Sequence, residues 1–249
     1  MTSKNIRVSP PRYLLREDAI FDILRKYPKG TFLEIGAGYG DLSDRLIRRG
    51  YTGTLSEISE DAIDKLKDRF KNKKSVRIVG GDIRRIKTKL DFIFAMEVFE
   101  HIKNDAKITK DCYNALKKGG KLIISVPGLM EKWGSADIVA GHYRRYEFDT
   151  LHALLEKAQF KKIRIITYGK PIITLTDFFA KLFFDKKLAE MKDKKVTIEK
   201  RTKESGLVSA IPLLSVVILN RFTMLPFFIL QKLFFNTKRG TAYLAVAEK

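Results

Sequence analysis

Apolar residues follow two different spacings along most of the chain. Short apolar runs that suit strands recur at 31–36, 52–58, 75–80, 90–96, 120–127 and 163–169. Between them, apolar positions three or four residues apart predict helices over 12–26, 41–50, 60–70, 105–117 and 149–157. Strands that alternate with helices indicate a parallel sheet covered by helices on both faces. The pattern therefore predicts an α/β, doubly wound fold.

The pattern changes after residue 169. A charge-dense stretch is followed by an apolar one at 207–235, which carries only Arg221 and Lys232 as charges and is interrupted by Pro212 and Pro226. Its apolar runs are too short for a spanning helix, which needs about 20 residues. We expect three parts: a core at 1–170, a helical, apolar and basic insertion at 171–238, and a final core strand at 239–249.

Charge adds information about partners. The chain has 49 Lys and Arg residues against 29 Asp and Glu, a formal net charge of +20. Such a field attracts phosphates, anionic lipid headgroups or nucleic acid, although a general enrichment in lysine would give the same count. The single cysteine, Cys112, excludes an intramolecular disulfide, and the N-terminal residues lack the apolar core of a secretion signal. We expect a cytoplasmic protein.

Three predicted strand ends carry residues suited to a nucleotide-type cofactor. Gly36, Gly38 and Gly40 lie between a strand and a helix, where backbone amides can approach a ligand closely. Glu57 ends the next strand, where an acid accepts hydrogen bonds from ribose hydroxyls. Asp82 ends the third strand and is placed to meet an adenine amino group. Each could also be an ordinary turn glycine or solvated acid, but together they predict a cofactor site.

These motifs, in this order, resemble those of class I S-adenosylmethionine-dependent methyltransferases. The resemblance rests on "LEIGAGYG", "SEIS", "GGDI", "FAMEVFEHI", "LKKGGKLIISVP" and "GHYRRYEFDTLHALLEKAQF", and it covers about residues 30–169 and the last strand. It implies a Rossmann-like sheet that ends in a reversed strand hairpin. That hairpin argues against a dinucleotide dehydrogenase, which shares the glycine loop. The D/N-P-P-Y motif of exocyclic-amine methylation is absent after "DFIFA", which disfavours an adenine-N6 enzyme.

The resemblance also assigns cofactor contacts by position. It implies that S-adenosyl-L-methionine contacts Glu34 at its methionine end, Gly36, Ala37, Gly38 and Gly40 along the loop, Glu57 and Ile58 at the ribose, Asp82 and Ile83 at adenine, and Met96 and Glu97 beside the sulfonium.

The E-x-x-E-H element directly follows the fourth apolar run. A helical turn would place Glu97, Glu100 and His101 on one side of the strand end, beside the methyl donor. They could serve only as a helix cap and a backbone contact. Alternatively, the element resembles that of ubiquinone-pathway O-methyltransferases and of small-RNA 2′-O-methyltransferases, and this implies Mg²⁺ held by Glu97, Glu100 and His101, with His142 as a further ligand. Without a metal, His142 or His101 is the candidate general base, with Glu97 beside it.

The whole pattern predicts transfer of a methyl group to oxygen on a hydrophobic small-molecule or lipid-linked acceptor. We expect the insertion to roof the acceptor pocket and to lie on the inner face of an anionic membrane, or else to form a buried cap or a homodimer interface. RNA 2′-O-methylation on the basic surface is the alternative, although few stacking aromatic residues lie among the basic ones.

Overall fold

Seven strands form one sheet in the computed structural model, which describes residues 10–81, 83, 86, 88–173 and 221–249. The strands are β1 Thr31–Ile35, β2 Thr52–Glu57, β3 Val76–Gly80, β4 Leu90–Met96, β5 Leu116–Pro127, β6 Lys161–Thr167 and β7 Ala242–Glu248. Their order is β3-β2-β1-β4-β5-β7-β6. Strands β1 to β5 run parallel, and β7 is antiparallel to both β5 and β6. The doubly wound sheet and the reversed terminal hairpin are both confirmed.

Among the described residues, six α-helices lie in the core and a seventh lies near the end of the insertion. They are α1 Pro11–Leu24, α2 Asp41–Ile47, α3 Glu60–Phe70, α4 Asp105–Ala115, α5 Ser135–Ala140, α6 Phe148–Lys157 and α7 Leu225–Leu230. The five helices expected from apolar spacing are present within a few residues. The short helix α5 was not predicted, and β5 begins at Leu116 rather than at residue 120 because the chain enters the strand directly from α4.

The core has two layers, one on each face of the sheet. Alternate residues of a strand point to opposite faces, so Phe92 and Phe94 join one cluster while Ile93 and Ala95 join the other. Helix α1 covers the first face with Leu14, Leu15 and Ile20 among its buried side chains. Both faces are therefore closed to water, as a parallel sheet requires.

The described end of the insertion packs on α1. Met224, Phe228 and Phe235 are buried in the same cluster as Leu14 and Ile20. Gln231 is fully buried; its amide donates to Leu15 O at 3.2 Å and to Asp18 Oδ2 at 3.1 Å, and its carbonyl oxygen accepts from Gly169 N at 3.1 Å. Residues 174–220, most of the predicted insertion, lie outside the described residues. Among those described, no helix has the length and apolarity needed to cross a bilayer.

Candidate active site

The glycine loop lies between β1 and α2 at the carboxyl edge of the sheet. Gly36, Gly38 and Gly40 all have positive φ, at 66°, 54° and 75°. Gly36 and Ala37 donate their amides to Ser56 O of β2. A Cβ on Gly40 would lie 2.6 Å from the Phe70 ring, so this position has no room for a larger residue. The loop is thus held close to the sheet, where its backbone can meet a ligand.

Glu57, at the end of β2, is bonded to that loop. One carboxylate oxygen accepts from Gly38 N at 2.7 Å, and the other accepts from Ile58 N at 2.7 Å and from Ser59 N at 3.0 Å. The residue is 8% exposed. The oxygen that accepts from Gly38 retains a lone pair, so Glu57 can accept a further hydrogen bond from a ligand hydroxyl while it holds the loop.

Glu34 lies below the loop in a buried position. Ser43 Oγ of α2 donates to its Oε2, and the side chain lines a small cavity of about 190 Å³ with Tyr13, Glu17 and Gly36. Burial raises the pKa of Glu34 to about 7. A cationic ligand group at this position would stabilise the carboxylate form.

Glu97 follows β4 and occupies an unusual backbone conformation. Its φ is 55°, a value uncommon for a residue with a side chain. Ser125 Oγ donates to Glu97 Oε1 at 2.9 Å, Tyr168 OH does so at 3.2 Å, and Arg16 Nη1 lies 3.5 Å away. Burial alone would raise the pKa of Glu97, but the charges of Arg12 and Arg16 and the Ser125 hydrogen bond hold it below its ordinary value. Glu97 is therefore an ionised carboxylate whose position is fixed on three sides.

Glu100 and His101, which follow Glu97 closely in the chain, lie next to His142. A 3₁₀ turn at Phe99–His101 carries the first two, and the ring centroids of His101 and His142 are 4.6 Å apart. Burial, together with the Glu97 charge, raises the pKa of Glu100 well above its ordinary value, and neither of its buried carboxyl oxygens has a hydrogen-bond partner among the described residues. Burial, with the neighbouring His142, lowers the pKa of His101 to about 4. The cluster thus favours neutral Glu100 and neutral His101.

The basic pair after β5 has structural partners. Arg144 pairs with Asp105 at 2.6 Å and donates to Lys103 O, while Arg145 binds both oxygens of Asp137 at 2.9 Å through Nε. Both guanidinium groups therefore fix the loop that carries His142.

One cavity of about 600 Å³ joins these groups. Its wall includes Gly36, Gly38 and Glu57 from the cofactor motifs and Glu97, Glu100, His101 and His142 from the histidine cluster. The apolar part of the wall is formed by side chains that include Met96, Val98, Ile102, Ile108 and Pro127. A cofactor and a second small molecule can therefore occupy one continuous space.

A family model described as a methyltransferase domain matches residues 13–165. The match covers more than half of the chain and includes every motif at this sheet edge. The chain belongs to the methyltransferase-domain family.

Relatives of this methyltransferase are similar over parts of the chain. The ubiquinone biosynthesis O-methyltransferase of Coxiella burnetii is 31% identical over 101 residues, which is 37% of this chain and 42% of that enzyme. A probable ribosomal RNA small subunit methyltransferase A of Methanosarcina acetivorans is 36% identical over 59 residues, 24% of this chain and 22% of that protein. The chain thus spans less than half the length of the curated relatives it matches.

Solved structures support the same fold over nearly the whole chain. Haemonchus contortus phosphoethanolamine N-methyltransferase 2, in complex with S-adenosyl-L-methionine, has a TM-score of 0.57 at 17% identity and covers 94% of this chain and 52% of its own. A methyltransferase of Thermotoga maritima, described as a possible histamine N-methyltransferase, has a TM-score of 0.56 at 16% identity and covers 94% and 87%. At these identities the likeness concerns the class I methyltransferase fold alone.

Most of the predicted cofactor residues lie together. Gly36, Gly38, Glu57, Ile58, Met96 and Glu97 line the large cavity, and Glu34 and Ala37 line the small one that shares Gly36, Gly38 and Met96 with it. Gly40 packs against Leu66 and Phe70 instead. Ile83 is 4% exposed and belongs to the second core cluster rather than to the cavity wall. Asp82 lies outside the described residues, so the adenine contacts stay predictions.

The predicted magnesium ligands do not assemble as a magnesium site. Within the described part of the chain, ligand atoms of Glu100, His101 and His142 lie within 4.8 Å of one another, but Glu97 is not in this group. Its carboxylate is bonded to Ser125 and Tyr168 instead. Mg²⁺ prefers an octahedron of oxygen ligands, whereas a set with two imidazoles is typical of zinc or iron. The residues present do not fit Mg²⁺.

Several residues of the site were not found from the sequence. Arg12 and Arg16 reach the cavity from α1, and Asp137 holds His142 from α5. The four-residue spacing of the two arginines places them on one helix face, which was an available signal. For Asp137 the sequence offers no such signal, because α5 has no apolar spacing that identifies it as a helix.

Proposed function

We propose that the protein transfers the methyl group of S-adenosyl-L-methionine to an oxygen atom of a hydrophobic small-molecule or lipid-linked acceptor at a membrane surface. The observation that carries the proposal is the continuous cavity, which has cofactor-type residues at one end and the histidine pair at the other. The similarity to the ubiquinone biosynthesis O-methyltransferase of Coxiella burnetii favours an oxygen acceptor of this kind.

The cofactor would lie along the glycine loop. Glu57 would hold the ribose hydroxyls, Glu34 would meet the cationic amino group of the methionine part, and Met96 and Glu97 would lie beside the sulfonium. The acceptor oxygen attacks the methyl carbon in line with sulfur, so an O–C bond forms as the S–C bond breaks and its electron pair stays on sulfur. Most of the rate would come from holding the two reactants in this alignment.

His142 would remove the proton of the acceptor hydroxyl. Its ring lies on the cavity wall, and a neutral imidazole suits proton removal near neutral pH. His101 packs edge-to-face against it at 4.6 Å and would assist by limiting the ring to one orientation. Glu97 would contribute its negative charge beside the sulfonium. No metal is needed for this chemistry, since the developing oxyanion is neutralised by the incoming methyl group.

Membrane association is supported by the exposed face of the insertion's described end. Phe222, Leu225, Ile229 and Leu233 follow each other at spacings of three or four residues and are 89%, 58%, 67% and 77% exposed. Apolar side chains on one helical face, in a protein with a net charge of +20, suit the surface of an anionic bilayer. The described residues of the insertion, 221–238, do not line the cavity. A roof over the acceptor thus stays a prediction for residues 174–220.

The test is to incubate the enzyme and methyl-labelled S-adenosylmethionine with a lipid extract and, in parallel, with total RNA. We expect label in the lipid fraction, identified by mass spectrometry as an O-methyl ether or ester. His142→Ala should abolish transfer, whereas His152→Ala should retain it, because His152 lies on α6 and is not part of the cavity wall.

Label in RNA alone would contradict the proposal and favour the second candidate, a 2′-O-methyltransferase. That candidate is supported by the net charge and by the short match to the ribosomal RNA methyltransferase of Methanosarcina acetivorans. Label in neither fraction would exclude both acceptor classes as tested.

A further inference from the structure

Asp137 lies behind His142 and has four hydrogen-bond donors around it. The residue is 1% exposed. Its carboxylate accepts from Gly134 N at 2.9 Å and from Arg145 Nε at 2.9 Å, and Arg145 Nη2 lies 2.8 Å away. Its Oδ1 lies 2.8 Å from His142 Nδ1. The hydrogen bonds of His142 and Arg145 overcome the effect of burial and hold the pKa of Asp137 below its ordinary value. An ionised carboxylate only accepts, so Nδ1 of His142 must carry the proton.

The backbone brings the two residues together. Helix α5 ends at Ala140, and Gly141 follows with φ of 78°, the left-handed conformation that turns a chain at a helix end. This turn allows His142 N to donate to Asp137 O at 3.0 Å. Main chain and side chain of His142 are thus both bonded to the same residue, which leaves the imidazole one orientation.

In that orientation the other ring nitrogen, Nε2, lies toward Glu100, which lines the cavity together with His142. His142 Nε2 lies 3.9 Å from Glu100 Oε1, too far for a hydrogen bond, and the side chain is 14% exposed at the cavity wall. With Nδ1 protonated, Nε2 presents its lone pair to this space. It is the atom that a base needs.

We propose that Asp137, clamped by Arg145, is the positioning residue that keeps His142 in the Nδ1-protonated tautomer with Nε2 directed at the acceptor. This inference rests on the proposed function, in which His142 is the base. A carboxylate behind an imidazole holds the ring in the required tautomer and stabilises the imidazolium that forms when the base takes its proton. The competing explanation is that Asp137 and Arg145 only tie the loop together.

The tautomer can be measured without any acceptor. The chain has three histidines, so ¹⁵N-histidine NMR at pH 8.5 gives few signals, and His142→Ala assigns the relevant one. We expect wild-type His142 to be protonated at Nδ1. Asp137→Asn should move the proton wholly or partly to Nε2 and lower methyl transfer into the labelled fraction by about 10²–10³-fold, the range expected for loss of general-base catalysis. Asp137→Glu should restore the Nδ1 signal in part.

Asp105→Asn is the matched control. Asp105 also pairs with an arginine of the same loop, Arg144, and accepts from Tyr146 OH at 2.9 Å, but within the described part of the chain its carboxylate does not bond a histidine. We expect this variant to lose loop stability while His142 keeps its tautomer. A wild-type His142 protonated at Nε2 would overturn the inference even if every Asp137 variant failed to fold. So would an unchanged tautomer in a folded Asp137→Asn. If instead His142→Ala transfers methyl groups at the wild-type rate, the proposed base is wrong, whatever the tautomer.

Discussion

Four glutamate residues determine most of the electrostatics at the carboxyl edge of the sheet. Glu57 accepts hydrogen bonds from three backbone amides, two arginines favour the ionised form of Glu97, and burial favours the neutral forms of Glu34 and Glu100. The four residues are of one type, yet the surroundings favour the charged form of Glu97 and the neutral forms of Glu34 and Glu100. Different charges suit different parts of a cofactor and acceptor.

Replacing Glu57 should weaken cofactor binding. Glu57→Ala removes the proposed acceptor of the ribose hydroxyls and the acceptor of Gly38 N, so we expect S-adenosylhomocysteine to bind less tightly by roughly 1–3 kcal/mol in calorimetry. Glu60→Ala, an exposed glutamate in the first turn of α3, serves as the control and should bind normally. Equal affinities of the two variants would show that the ribose lies elsewhere.

Glu34 should make cofactor binding depend on pH. With a pKa of about 7, the Glu34 carboxyl must lose its proton before it can pair with a cationic ligand group. The affinity should therefore rise between pH 6 and 8 and then level off. Glu34→Gln should bind with a nearly flat pH profile. Glu17→Gln should keep the slope, because Glu17 also has a pKa raised by burial to about 7 but is paired with Arg45 and Arg221. The idea fails if Glu34→Gln and wild type show the same slope.

The raised pKa of Glu34 also affects folding. Relative to an unfolded pKa near 4.5, a carboxyl with a folded pKa of about 7 contributes stability that is fully present below 4.5 and is lost as pH rises through 7. Glu34→Gln should therefore gain stability relative to wild type at pH 8, measured by urea unfolding.

Chelation separates the metal-free mechanism from its alternative. We expect enzyme treated with EDTA to retain its methyl transfer into the lipid fraction and added Mg²⁺ to have no effect. Glu100→Gln should remain active within a few-fold, because Gln is isosteric with the neutral carboxyl that burial favours. Loss of activity in both experiments, with recovery on addition of a divalent ion, would establish Glu100, His101 and His142 as metal ligands.

At the scale of elements, α1 links the insertion to the cofactor end of the site. Arg16 of α1 reaches Glu97, Glu17 pairs with Arg45 of α2 and with Arg221 of the insertion, and Gln231 bonds the backbone of α1. The position of helix α1 is therefore fixed both by Glu97 and α2 and by the described end of the insertion.

Gln231 is the contact whose loss should be measurable. Gln231→Ala removes the fully buried side-chain amide that bonds Gly169 N and Leu15 O. We therefore expect the free energy of unfolding to fall by about 2–4 kcal/mol. Lys232→Ala, next in the chain, removes only a partly exposed pair with Asp22 and should change stability by less than about 1 kcal/mol. Urea unfolding of both variants gives the comparison. A fall below 1 kcal/mol for Gln231→Ala would mean that the insertion is not fixed to α1.

The alternating elements and the cofactor loop were predictable, because both depend on local signals: apolar spacing, and glycines between a strand and a helix. The geometry behind His142 was not. Asp137, Arg145 and His142 meet only after the chain turns at Gly141, and Arg16 meets Glu97 across 81 positions of sequence. The position of Glu97 depends on its positive φ, and a glutamate in the sequence gives no signal of that conformation because positive φ is typical of glycine. Long-range contacts and strained backbone thus account for what the sequence left open.

At the scale of the whole molecule, net charge and the apolar face at residues 222–233 should act together. We expect the protein to sediment with vesicles that contain phosphatidylserine, and to do so less at high salt, since screening weakens the attraction of basic residues to the surface. The triple variant Leu225→Ser, Ile229→Ser, Leu233→Ser should remain in the supernatant. A variant with Met130→Ser and Ile138→Ser, which are exposed apolar residues elsewhere, should still sediment.

Protein that stays in the supernatant with every vesicle would exclude the membrane as the occupant of this face. Concentration-dependent mass in light scattering would then test whether this face is a dimer interface.

The antiparallel strand β7 sets the order in which the sheet can form during synthesis. Strand β6 has β7 as its neighbour in the sheet, and β7 also closes the edge of β5. Residues 161–167 therefore leave the ribosome about 75 residues before their partner does, and the backbone edge of β5 stays open during that time. Open strand edges pair readily with other chains. A chain that stops before residue 242 should thus bind chaperones or aggregate more readily than the chain that includes β7.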